Sequence, residues 1–355
     1  AEAAPDPLLG AAAAAGGGVL LSPDPVAALG VLGRAWRREL DPPVAAVTGT
    51  NGKTTTKDLL AALLAGAGPV HATSGNLNNH LGVPLTLLGL EPRHRWAVIE
   101  MGAAAEGEIA RLANLAEPDV GIITNAAPAH LAEFGSLEGI IRGKGELVAA
   151  LPPEGTAILD TGTAGFAAWS GRSAAPVVSC GAGGDHPWSW RPAPDGNGVL
   201  TLDGAEWPVP LPGEHNGANL VLAILAGRAL GVGDEALRRG LKGFRGSPHR
   251  GVRLELAGRL VLDDAYNANP RSMLAAAAAL VALPGRGRVI AVLGAMAELG
   301  PESDELHRQT GRELEALGLD LVVTVGAAAE TLAQGFAQAG GSSHHCLSLI
   351  HISEP

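Results

Sequence analysis

An α/β fold with a central parallel sheet is predicted by three features of this sequence. The stretch "PVAAVTGTNGKTTTKDLLAALLAG" couples a buried-type apolar strand to a glycine-rich turn and then to a leucine-rich helix. Further short apolar runs, "RWAVIEMGA" and "PDVGIITNA", are separated by helical stretches, the alternation that a parallel sheet requires. The 355 residues are 46% hydrophobic and 17% charged, enough apolar material for two to three cores rather than one.

Taken in order, residues 1–40 read as a short strand ("GGVLLS") and a helix ("DPVAALGVLGRAWRREL") closed by "DPP" at Asp41–Pro43. Strand "PVAAVTG" then leads into helix "TTTKDLLAALLAG", which carries Leu59, Leu60, Leu63 and Leu64 on one face and is stopped by Gly66 and Gly68. Residues 151–212 are rich in Pro, Gly and Trp, and runs such as "NGVLTL" and "AEWPVPL" predict an antiparallel, β-rich appendage. Helix "ANLVLAILAGRAL" and linker "FRGSPHR" follow. From about Arg250 a second α/β unit is expected, Rossmann-like, with strands "GRLVLDDA", "RVIAVLG" and "DLVVTVG" around helices "RSMLAAAAALVAL" and "ESDELHRQTGRELEAL".

A net charge of −11 with no basic stripe speaks against a nucleic-acid partner, because phosphate backbones select a basic face. Two cysteines, Cys180 and Cys346, cannot build a disulfide framework, which suits a reducing compartment. No apolar run is long enough to span a membrane, and "LLGAAAAAGGGVLL" lacks the basic leader of a signal peptide. The expectation is a cytoplasmic, monomeric protein. Lysine occurs only at Lys53, Lys57, Lys144 and Lys242, so its placement is selective in a chain that otherwise uses Arg.

In "TGTNGKTTT" the backbone N–H groups of Gly49, Thr50, Asn51 and Gly52 and the helix N-terminus converge on one spot suited to an anion. Lys53 can reach the outer phosphates of a nucleotide, Thr54 can ligate Mg²⁺, and Thr55 is expected beside them among the nucleotide-binding residues. The match to the general phosphate-loop pattern departs at Val47, where its first glycine belongs. Glu100 ends "AVIE" and His130 follows "VGIITN"; both fall at strand C-terminal ends, where open α/β sheets bind ligands. Lys144, in "GKGEL", is either a phosphate counter-charge or a modified lysine. "NLNN" reads as a substrate contact or an Asn-rich turn, and "YNANP" as a substrate contact or a helix lead-in.

The segments "GTNGKTTT", "TSGNLNNHLGVPLTLL", "VIEMGA", "ITNAAPAHLAEFGS", "GKGEL", "GEHNGANL", "DDAYNANPRSM" and "GAMAELGPES" occur in the order found in the Mur ligases, and the resemblance covers about Pro25 to Gly326. "YNANP" with "MAELG" is similar to the branch that adds a dipeptide. The resemblance implies ATP-dependent ligation of D-alanyl-D-alanine to UDP-N-acetylmuramoyl-tripeptide through an acyl phosphate, in the synthesis of the cell-wall precursor. It implies that Lys53 and Thr54 hold phosphates and Mg²⁺, that Glu100 and His130 are metal ligands, and that Lys144 is carbamylated and serves a second Mg²⁺. Asn216 and Asn219 would bind adenine, and Arg250 and Asp264 would reach the nucleotide from the C-terminal side. Asn76, Asn78 and Asn79 would contact the muramyl peptide; Tyr266, Asn267 and Asn269 would form the dipeptide side. The alternatives are another Mur or folylpolyglutamate-type ligase, or an ATP-binding fragment without complete catalysis.

The same resemblance implies a domain order. Residues 1–40 would be the remnant of an N-terminal UDP-binding domain, 41–245 the central ATP-binding domain, and 246–340 a truncated C-terminal Rossmann-like domain lacking a "KGSR"-type segment. Residues 341–355, ending "CLSLIHISEP", break in composition from the rest and are expected as a non-native tail. Ala295 replaces the Asp usual after the glycine of "GAMAELG".

Overall fold

The protein is described by a computed structural model covering residues 14–16, 18–128, 134–285 and 287–348. Helix α1 (Pro25–Leu40) starts where Asp24 caps it, its side chain accepting from the Ala27 N–H at 2.9 Å, with Pro25 in the first turn. The strand expected before it is absent: residues 18–22 are irregular.

Six strands then form a fully parallel sheet: β1 (Val44–Thr48), β2 (Val70–Ala72), β3 (Trp96–Glu100), β4 (Val120–Ile123), β5 (Thr156–Asp160) and β6 (Val177–Cys180), in the order β2-β3-β1-β4-β5-β6. Strand β1 explains why the sequence here is apolar without alternation. Ala45 and Val47 join one core while Val44 and Ala46 join the other, so both faces are buried. Helix α2 (Lys53–Ala65) packs Leu59, Leu60, Leu63 and Leu64 into the first core. The second core is covered by α3 (Gly82–Leu88), α4 (Glu108–Ala116), α5 (Leu137–Lys144), α6 (Glu146–Ala149) and α7 (Phe166–Arg172).

The appendage is smaller than residues 151–212 suggested. Strands β5 and β6 belong to the parallel sheet, because "TAILD" and "VVSC" are apolar on both faces. Only β7 (Trp188–Pro192), β8 (Gly198–Leu202) and β9 (Ala205–Val209) form an antiparallel meander. Its Leu200, Leu202, Trp207 and Val209 close over helix α8 (Glu214–Ala229) in the first core. Helix α9 (Asp234–Leu241) packs beside α2.

After the linker, β10 (Val252–Leu256) and β11 (Arg259–Asp263) make a separate antiparallel hairpin. Strand "GRLVLDDA" was expected with "RVIAVLG" and "DLVVTVG" in the second α/β unit, yet among the described residues it pairs only with the segment just before it, across a short turn at Ala257–Gly258. Helix α10 (Pro270–Val281) leads to a three-stranded parallel sheet of β12 (Ile290–Leu293), β13 (Leu321–Val325) and β14 (Ser343–Cys346), with α11 (Ser303–Glu315) and α12 (Glu330–Gln338) packed on each other. Part of the segment from residue 341, expected as a tail, forms strand β14. Ser343–Cys346 pairs along β13, Cys346 is buried, and Thr324 Oγ1 meets His345 Nδ1 at 2.9 Å. Residues 349–355 of that tail lie outside the described residues.

Candidate functional site

A cavity of about 620 Å³ opens at the C-terminal ends of β1, β3, β4 and β5 and is closed from the other side by the segment around β11 and α10. That is the edge at which an open α/β sheet gathers helix N-termini and loop N–H groups. The turn after β1 forms one wall, with Thr50 to Thr55 all lining the cavity.

Two glycines explain the shape of this turn. Gly49 has φ +142°, and a Cβ there would lie 2.0 Å from Thr124 Oγ1. Gly52 has φ +80°, and a Cβ would lie 2.4 Å from Asn219 Oδ1. Neither position accepts a side chain. Asn51 is pinned by its backbone: its N–H donates to Asn125 Oδ1 at 3.1 Å, and its carbonyl accepts from Asn125 Nδ2 at 3.0 Å and Thr124 Oγ1 at 2.6 Å. Thr124 and Asn125 were not anticipated as site residues, although "ITN" at a strand end next to the loop was the available signal. Lys53 Nζ donates to the Gly49 and Thr50 carbonyls at 2.8 and 2.9 Å. Burial holds its pKa below the usual lysine value; Glu100 opposes the shift and Arg250 adds to it.

Glu100 is 2% exposed. Its Oε1 accepts from Asn78 Nδ2 at 2.8 Å, and its Oε2 is buried with no hydrogen-bond partner. An orphaned carboxylate oxygen in a phosphate-type cavity fits a hard cation. Among the described residues no three His, Cys, Asp or Glu side chains gather around a possible ion. A Mg²⁺ here would therefore rely on Glu100, the Thr54 hydroxyl and oxygens of a bound phosphate or water. His130, expected as a further ligand, lies outside the described residues.

Lys144 does not line the cavity. It is buried behind the Ala103–Ala104 wall, with Nζ donating to the Ala103 carbonyl at 3.2 Å and lying 5.2 Å from the Phe134 ring centroid. Burial, aided by Lys53, lowers its pKa to about 7, while Glu108 and Glu146 oppose the shift.

The three Asn residues of "GNLNN" separate. Asn78 lines the cavity but spends its amide on Glu100. Asn79 also lines it, and its Oδ1 accepts from the Leu81 and Gly82 N–H groups at 3.1 and 2.9 Å, starting α3. Asn76 is exposed and does not line the cavity. The turn reading thus describes much of what this segment does. Asn216 and Asn219 are buried on α8: Asn216 Nδ2 donates to the Pro212 carbonyl at 2.8 Å, and Asn219 Nδ2 donates to Asn216 Oδ1 at 3.2 Å. Beside them His215, unanticipated, lines the cavity with its pKa lowered to about 4 by burial.

From the far side come Arg250, Asp264, Tyr266, Asn267 and Asn269, all lining the cavity. The Arg250 guanidinium stacks 3.8 Å from the Tyr266 ring centroid. Burial raises the Asp264 carboxyl above the usual range, opposed by a Gly251 backbone hydrogen bond and by Arg250. Asn269 caps α10 and also meets Asn51 across the cavity. Arg271, Ala297 and Glu298 complete this wall and were not anticipated.

Residues 47–227 match the Mur ligase middle domain, and residues 249–353 the Mur ligase glutamate ligase domain. The chain is 39% identical over 313 residues to the UDP-N-acetylmuramoyl-tripeptide–D-alanyl-D-alanine ligase of Escherichia coli, covering 82% of this chain and 66% of the relative. It superposes on a crystal structure of MurF from Acinetobacter baumannii with a TM-score of 0.86 and 36% identity, covering 92% of this chain and 72% of that one. Against the MurF ligase of Thermotoga maritima in complex with ADP the TM-score is 0.80 at 28% identity, covering 93% and 82%. The chain thus spans just under two thirds of the length of the Escherichia coli relative. The phosphate-type loop, the opposed Rossmann-like unit and these matches agree: this chain belongs to the Mur ligase family.

Proposed function

We infer that the cavity serves ATP-dependent ligation of D-alanyl-D-alanine to UDP-N-acetylmuramoyl-tripeptide, in a cytoplasmic, monomeric enzyme of peptidoglycan precursor synthesis and hence of cell shape and division. The observation that carries this reading is the unpartnered Glu100 Oε2 in the same cavity as Lys53 and Thr54. A buried carboxylate oxygen with no partner among the described residues makes sense where ligand phosphates and a cation complete it. The domain order 41–245 and 246–340 follows the two family matches in outline and is part of the same proposal.

In this reading Gly49 to Thr55 and the α2 N-terminus orient the ATP phosphates, and Lys53 leaves its two carbonyls for the γ-phosphate. Asn216, Asn219 and His215 form the nucleoside side, with Arg250 and Asp264 closing on it. Mg²⁺ held by Glu100 and Thr54 supplies charge neutralisation when bound. The terminal carboxylate of the tripeptide attacks the γ-phosphorus and ADP leaves. The dipeptide amine then attacks the acyl carbon, loses a proton, and phosphate departs as the amide forms. Most of the acceleration comes from holding carboxylate and amine in line within one closed cavity. Tyr266, Asn267 and Asn269 take the dipeptide side, and Asn78 and Asn79, which line the cavity where Asn76 does not, the muramyl-peptide side. Lys144, with a pKa of about 7, has the neutral amine fraction that carbamylation needs.

The test is phosphate release from ATP with each substrate withheld in turn. Release that requires both UDP-linked tripeptide and D-alanyl-D-alanine supports the assignment. Equal release with diaminopimelate or lysine replacing the dipeptide refutes it.

A further inference from the structure

His307 lies on α11, outside the cavity, and is fully buried. Its Nε2 accepts the Met296 backbone N–H at 2.9 Å, and its Nδ1 meets the Ser303 carbonyl at 2.7 Å. A backbone N–H can only donate and a carbonyl can only accept. The ring is therefore the neutral tautomer with its proton on Nδ1. One imidazole thus ties a loop to the first turn of a helix through two main-chain bonds.

The loop it holds follows the C-terminal end of β12, the ligand-facing edge of that sheet. Met296 and Leu299 are buried anchors in the apolar core of the C-terminal unit, at 3% and 2% exposure. Between them Ala297 and Glu298 face outward and line the cavity. Glu298 has φ +62°, a left-handed conformation that a non-glycine side chain adopts at a cost. Two apolar anchors and one hydrogen bond to a buried ring help to hold this turn in that conformation. Removing the bond leaves the Met296 N–H unsatisfied in a buried place and lets the wall relax.

We propose that His307 is a positioning residue that fixes the Ala297–Glu298 wall and thereby sets how tightly the cavity holds the acceptor dipeptide. This rests on the functional reading above, which puts the dipeptide on the side of the cavity formed after β11. The nucleotide side is built mainly from α2 and α8, and the hydrogen bonds of His307 run instead to Met296 and Ser303. Its loss therefore acts on one substrate.

Two variants of the whole protein separate this role from a merely structural one. His307→Gln places an acceptor near Nε2 and keeps the Met296 bond. His307→Asn reaches only the Nδ1 side and loses it. The readouts are KM for D-alanyl-D-alanine, KM for ATP, and hydrogen exchange at the Met296 amide. His307→Asn is expected to raise the dipeptide KM about tenfold, leave the ATP KM within about twofold, and speed Met296 exchange about tenfold. His307→Gln is expected to stay within about threefold of wild type in all three. An unchanged dipeptide KM in His307→Asn, an equal rise in both KM values, or equal losses in the two variants would overturn the proposal. Wild-type protein that does not ligate the dipeptide overturns the functional reading instead. In that case Met296 exchange alone decides the clamp: equal protection in wild type and His307→Asn refutes it.

Discussion

Asn51, in the phosphate-type loop, and Asn269, at the start of α10, exchange two amide hydrogen bonds across the cavity. Asn269 Nδ2 donates to Asn51 Oδ1 at 2.6 Å, and Asn51 Nδ2 donates to Asn269 Oδ1 at 3.2 Å. Asn269 also accepts the Ser272 N–H at 3.0 Å in a capping box. One side chain thus starts a helix in the C-terminal unit and reports to the loop of the other.

These two roles can be separated by substitution. Asn51→Ala removes only the cross-cavity pair, because the Asn51 backbone is held independently by Thr124 and Asn125. Asn269→Ala removes the cap as well, and should cost about 1 kcal/mol more in denaturant unfolding than Asn51→Ala. Equal losses would mean that the cap contributes nothing. The double variant should lose less than the sum of the two single changes, since both delete one shared pair.

Glu100→Gln keeps the shape of the side chain and its bond from Asn78 on the oxygen side, while removing a buried charge with one unpartnered oxygen. Thermal stability should hold or rise slightly, whereas Mg²⁺-dependent ATP turnover should fall by about 10²-fold or more. A large loss of stability with turnover retained would place Glu100 in the scaffold instead.

Gly49→Ala would drive a Cβ to 2.0 Å from Thr124 Oγ1 at a φ that favours glycine. The expected cost is about 1–3 kcal/mol, with loss of nucleotide binding measured by calorimetry. A variant that binds ADP normally would show that the loop is not held as described.

Lys144 makes a pH prediction. Its folded pKa of about 7 lies below the ordinary lysine value near 10.5. Between these values the unfolded chain binds the extra proton, so this residue's contribution makes stability rise with pH over about 7–10.5. Below pH 7 the burial penalty is fully present; above 10.5 it is gone. Lys144→Met should flatten that slope in urea unfolding across the same window, and an unchanged slope would contradict the assignment.

What could be read from the sequence depended on whether local chemistry or distant packing decided the outcome. The parallel core was legible because β1, β3 and β4 are apolar on both faces, a pattern that only a doubly covered sheet produces. The loop from Gly49 to Thr55 was legible because glycine spacing and a lysine at a helix start are local signals. Strands β5 and β6 were misplaced because turn-rich flanks look alike in a sheet and in a meander. The double duty of Asn78 on Glu100 was hidden, since 22 residues separate partners that only the sheet brings together. His307 stood within the expected helix "ESDELHRQTGRELEAL", yet its bond to Met296 depends on how α11 folds back over the end of β12.

Isotope transfer reads out acyl-phosphate formation directly. The terminal carboxylate of the UDP-linked tripeptide is labelled with ¹⁸O, and the phosphate released during ligation to D-alanyl-D-alanine is analysed by mass spectrometry. Attack of that carboxylate on the γ-phosphorus predicts one ¹⁸O in every phosphate released. Unlabelled phosphate, or label carried into AMP, would contradict an acyl-phosphate ligation in this cavity.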